Sequence, residues 1–186
     1  GIDVSDRATR ERLVHTLAED EDGGRVLAAL AVLERAEDQD LSPLVPRLLS
    51  HPDVRVRAQA IAHIQAHPDP SYAALLMQVI RRDSRAPTAE AARALALVDP
   101  EGARLVLEPF LEAGPGPRGD ARLLCAAIEA LLPEGEGGQT RGSPRAVERL
   151  QELLARGRAA PSAERREVVR LLGHLGPERR VLREVD

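Results

Sequence analysis

Apolar positions return along this chain in one small arrangement, two adjacent residues and a third three further on. It occurs at Ala29-Leu30 with Leu33, Ala60-Ile61 with Ile64, Ala94-Leu95 with Val98, Ala127-Ile128 with Leu131, and Leu171-Leu172 with Leu175. Within one copy the spacing marks a single stripe of an α-helix. Between copies the spacings are 31, 34, 33 and 44 residues. A period in this range belongs to stacked helix pairs, each of which needs its neighbours to cover its apolar side.

Caps and periodicity predict about eleven helices and no strand. The first runs from about Asp6 to Ala18 behind Ser5, and the second from about Gly24 to Arg35 behind Asp22. Ser42 is the expected cap of a third helix, with Pro43 in its first position where a missing N–H costs nothing. Its partner spans Asp53 to the residues before Pro68. Further pairs are expected at 71–82 with 88–98, 101–113 with 119–132, and 144–156 with 163–175, followed by a short helix after Pro177. Pro46 and Pro109 sit inside apolar helical patterns, which predicts kinks at both. The 44-residue interval contains 133–143, a Gly-rich polar stretch expected to form a mobile insertion on one face.

The segment Leu44-Val45-Pro46-Arg47-Leu48-Leu49-Ser50-His51-Pro52-Asp53-Val54-Arg55-Val56-Arg57-Ala58-Gln59-Ala60-Ile61-Ala62-His63-Ile64 resembles a HEAT-like repeat. It has a proline-bearing first helix, a turn ending in Asp, and a Val-Arg opening to the second helix. The other copies match this motif loosely, with Arg25, Glu90, Leu123 and Glu167 at the position of Val56. The aromatic signature of tetratricopeptide arrays and the Thr-Pro-Leu-His of ankyrin arrays are absent. The resemblance implies an all-α, right-handed α-α superhelix, a HEAT-like solenoid of about five helix pairs in a single domain over 1–186. A second resemblance covers Gly24 to Ile64, which looks like the HEAT-repeat regions appended to bacterial transporters of the nucleotide (ADP/ATP) translocase type. It implies a regulatory region on the cytoplasmic side of a membrane domain.

Composition narrows the chemistry. Apolar residues make up 43% of 186, enough for a continuous core. Tyr72 and Phe110 are the only aromatics, and all 26 basic residues are Arg. Without Lys there is no Schiff-base chemistry on a lysine. The net charge of −4 points to no polyanionic partner. It is unevenly spread, with 11 acids against 5 arginines in residues 1–40 and 11 arginines against 7 acids in residues 141–186. The single cysteine, Cys125, makes no intrachain disulfide, and no apolar run reaches the roughly 18 residues that span a bilayer. With no signal pattern at the start, the expected location is cytoplasmic. The absence of an initiator Met fits a piece of a longer protein. So does the stripe Val181, Leu182 and Val185, expected to be covered by further helix or by another copy of the chain.

No pattern points to catalysis. His63 and His67 stand four apart on one helix with His51 just before it, but no carboxylate-histidine motif accompanies them, so structural histidines are expected and no metal. Cys125 falls on the stripe Ala121, Leu124, Cys125, Ile128 and Leu131, which places it in the core. No phosphate loop or nucleophile elbow occurs, and no cofactor is expected. Some HEAT-like proteins bind DNA and act on its bases. Two aromatics and a net negative charge argue against nucleic acid here.

The best interaction candidates form a ladder on the second helices. Repeat offsets align Arg55 with Arg122 and Arg166, Gln59 with Arg93 and Arg170, and His63 with His174. The HEAT-like resemblance implies that second helices line the concave surface. These residues would then offer a mildly basic groove to a protein partner, and the expected function is a non-catalytic scaffold for protein-protein interaction.

Overall fold

The computed structural model describes residues 7–35, 40–82, 87–112, 121–132 and 143–174, apart from the side chains of residues 82, 158 and 174. Among the described residues the regular structure is helical throughout. Ten α-helices follow in order: α1 Arg7–Glu19, α2 Gly23–Leu33, α3 Val45–Leu49, α4 Val54–Ala66, α5 Ala73–Arg82, α6 Thr88–Val98, α7 Pro100–Glu112, α8 Ala121–Leu131, α9 Pro144–Arg156 and α10 Ser162–His174. Short 3-10 turns at Ser42–Leu44, Pro70–Tyr72 and Gly157–Ala159 lead into or out of them. No described helix is long and apolar enough to cross a membrane. The expected cap at Ser5, Leu175, the helix after Pro177 and its apolar stripe lie outside the described residues.

The helices stack in two layers. Even-numbered helices pack in sequence, α2 on α4, α4 on α6, α6 on α8 and α8 on α10, while α1, α3, α5, α7 and α9 form the second layer. Neighbours in sequence also pack, α1 on α2, α3 on α4, α5 on α6, α7 on α8, and α8 on α9. Three to five residues join α1 to α2, α3 to α4 and α5 to α6, short connections of the kind that set neighbouring helices antiparallel. One core runs between the layers, and the repeated apolar positions line it. Leu30, Leu33, Ile61, Ile64, Leu95 and Ile128 are all 0–1% exposed. Burying one such side chain stabilises the fold by about 1.5–3 kcal/mol.

Aspartates punctuate the stack. Asp22 caps α2 by accepting from Gly24 N at 2.8 Å, and Asp53 caps α4 by accepting from Arg55 N at 2.8 Å. Asp69 accepts from Ser71 N at 2.8 Å, and Asp99, the one residue between α6 and α7, accepts from Gly102 N at 2.9 Å. Each satisfies a donor that the first turn of a helix leaves open. Ser42 departs from its expected role, because its own N–H is bound by Asp40 at 2.9 Å and it opens a 3-10 turn with no side-chain cap behind it.

The two prolines differ. Pro46 produces no kink within a helix, because α3 starts only at Val45 and Pro46 occupies the first turn, where no donor is needed. Pro109 lies inside α7, which runs unbroken through it. The carbonyl of Leu105 loses its helical donor there, and Leu105, 71% exposed, stands on the solvent side, within reach of water. Two glycines mark close approaches between pairs. A Cβ on Gly23 would meet the Asp53 carboxylate, and one on Gly102 would meet the Met77 methyl.

Ser143, the last residue of the expected insertion, is an anchored boundary. It is buried, and its N–H donates to Leu131 O at 2.8 Å. Residues 133–142 lie outside the described residues.

Candidate functional site

The even-numbered helices carry the candidate ladder, and the structure gives most of its rungs partners. Arg55 chelates the cap of its own helix, with Nη2 at 2.7 Å from Asp53 Oδ2. That carboxyl is held down at about 2, chiefly by the Arg55 side chain and N–H. Gln59 Nε2 donates to both oxygens of Glu34 at 3.2 Å, joining α4 to the end of α2. Arg93 Nε on α6 lies 2.6 Å from Glu129 Oε2 on α8, and Arg122 on α8 pairs with Glu90 on α6. Arg170 pairs with Glu167 one turn earlier at 2.9 Å. Arg166 is exposed and has no ion-pair partner among the described residues. The side chain of His174 lies outside those described.

These contacts run mainly from one helix pair to the next. Gln65 Nε2 adds a bond to Glu90 O at 3.1 Å between α4 and α6. On the other layer, Arg47 Nε caps the open end of α1 through Ala18 O at 3.0 Å, and Arg145 Nε reaches Glu112 of α7 at 2.9 Å. Arg57 Nη1 binds His51 O at 2.6 Å and Pro52 O at 2.8 Å, fixing the turn before α4. Sequence reasoning missed Glu34, Glu90 and Glu129 as acceptors. One signal was present, since Glu90, Glu167 and Arg25, which depart from the motif at the Val56 position, each form an ion pair.

The histidines do not converge. His51 is buried at the start of α4, where Nδ1 accepts from Asp53 N at 3.0 Å. His67 lies beyond the far end of that 13-residue helix, about 20 Å away at 1.5 Å rise per residue. His63 and His67 have ring centroids 4.7 Å apart. Burial and the neighbouring His67 lower the pKa of half-buried His63, so its ring favours the neutral form. Among the described residues no group of three His, Cys, Asp or Glu side chains is placed to hold a metal.

Cys125 is 2% exposed on α8, and burial followed by the charges of Glu167 and Glu164 pushes its thiol up to about 12. The thiolate needed for nucleophilic chemistry is therefore scarce at neutral pH. Leu123, Ala126 and Ala127 are buried as well, so α8 is covered well beyond the expected stripe, with α6, α7, α9 and α10 all packed on it.

No protein-family model, curated protein or solved structure matches this chain.

Proposed function

We propose that this chain is a non-catalytic helical-repeat scaffold that binds a protein partner, built as a right-handed HEAT-like superhelix. The observation that carries the reading is the uninterrupted layer α2, α4, α6, α8, α10, along which the repeat alignment would set equivalent side chains on one face. Such a surface binds through many small contacts, and its rigidity limits the ordering cost of association. Because Arg55, Arg93, Arg122 and Arg170 are each paired with a neighbouring carboxylate, the face is closer to neutral than a free arginine ladder. A partner of mixed charge fits it better than a strongly acidic one.

Affinity capture from a lysate, comparing the wild type with an Arg55→Glu, Arg166→Glu double variant, tests this. Both residues are exposed, and Arg166 is in no inter-helix pair, so the fold should persist. Loss of a captured protein with an unchanged melting curve is the expected result. Identical capture by both proteins would remove this face from the proposal.

A further inference from the structure

We infer that the two flanks of the stack are complementary and that copies of this chain associate head to tail, α10 of one docking against α1 and α2 of the next. A second copy thus becomes one specific partner for the scaffold, and the inference rests on the two-layer packing without requiring any other partner.

The head is a cleft of about 430 Å³ lined by Leu13, Thr16, Asp20, Arg25, Ala28, Ala29 and Val32. All seven belong to α1, α2 or the turn joining them, so the cleft lies on the first pair alone. That turn is acidic, with Glu19, Asp20, Glu21 and Asp22 in succession; Asp20 pairs with Arg25 and Asp22 caps α2, so the charge offered outward is mainly that of exposed Glu19 and Glu21. The tail is the outer flank of α10. Glu164 and Leu171 face inward and are buried, while on the opposite arc Val169 is 69% exposed and flanked by exposed Arg165, Arg166 and Arg170. Arg165 donates to Ala160 O at 3.0 Å and Arg170 pairs with Glu167, so the charge offered outward is mainly that of Arg166.

The repeat register brings these features level. Aligning Leu171 with Ala29, as the recurring apolar motif does, sets Arg165 and Arg166 beside Gly23 and Gly24 at the acidic turn. It sets Val169 beside Leu27 and Ala28 at the cleft. An incoming α10 would therefore insert its apolar knob into the cleft and its arginines beside the acids. Arg-carboxylate pairing of this kind already joins α6 to α8 inside the chain. Because the two surfaces differ, the contact is heterologous, and repeating it extends the stack into an open chain of copies.

Mixing two blocked variants tests this by sedimentation or light scattering. Val169→Asp disables the tail and Ala28→Glu the head, and both positions are exposed. Wild type should rise above 20.1 kDa with concentration and continue past the dimer, less so at high salt. Each variant alone should stay monomeric, whereas the mixture should form one-to-one dimers through the head and tail left intact. A wild type monomeric up to millimolar concentration overturns the inference. So do variants that still self-associate, or a mixture that stays monomeric. Lysate capture by Val169→Asp keeps the scaffold reading separate, since that variant loses the tail and leaves Arg55 untouched: a partner it still captures does not depend on association of copies.

Discussion

Helices α6 and α10 occupy corresponding places in their pairs and follow opposite rules. In α6, Thr88, Ala89, Ala91, Ala92, Ala94, Leu95 and Val98 are all buried, because α4, α5, α7 and α8 surround it. In α10, Val169 and three arginines face out, because among the described residues only α8 packs closely on it. The alanines of α6 let its neighbours approach its backbone, and they leave little unfilled space for a larger side chain. A helix in the middle of such a stack is held on several sides, and one at its flank is held by a stripe.

The largest expected effect comes from the central core. Leu95→Ala or Ile128→Ala should destabilise by ~2–5 kcal/mol, while Val169→Ala should stay within about 0.5 kcal/mol. Chemical denaturation of the three variants measures this. Equal losses would mean that α10 is as enclosed as α6. Ala92→Leu, which overfills the centre, should cost ~1–3 kcal/mol.

How far this contrast was legible beforehand depends on what each residue touches. The apolar motif located every second helix, and Asp22 identified itself as a cap because an N-cap is a local interaction within three residues; Asp53 was read as the first residue of its helix and is instead the cap before Val54. Ser42 misled because it lies inside the first turn, opening a 3-10 turn of its own, while α3 begins only at Val45. Pro46 misled because the pattern hides where a helix begins. The ladder arginines were found, but their carboxylates lie 32 to 36 residues away in sequence for Arg122 with Glu90 and Arg93 with Glu129. Only packing of α6 on α8 brings them together. The cover on α8 beyond its stripe was likewise hidden, since an alanine such as Ala126 reads as neutral until its neighbours are known.

A smaller effect should appear with acid. The folded-state pKa of His63 lies below its ordinary 6.5 and that of Asp53 lies at about 2, below its ordinary 3.8. In both cases the unfolded chain binds more protons, so stability falls as pH falls. The His63 contribution should fade as pH drops through about 6.5, and that of Asp53 between about 4 and about 2. Melting temperature against pH checks the sign, and Asp53→Asn should flatten the lower limb. A melting temperature that rises on acidification across either window would reverse the assignment.

The inter-pair ion pairs should be modest. A double-mutant cycle on Arg93 and Glu129, whose side chains are only 24% and 20% exposed, should give a coupling of about 0.5–1 kcal/mol. The same cycle on Arg7 and Glu11, at 89% and 64% exposure, should give less. Reversal of that order would separate the ladder from the joints it spans.

Native-state hydrogen exchange on the dilute monomer tests the central claim most directly, that each pair is held by its neighbours and that cover decreases toward the flanks. Amides of α6 and α8 should be the slowest to exchange, with protection falling toward α1 on one side and α10 on the other. Uniform protection from α1 to α10, or the slowest exchange at either flank, would contradict it.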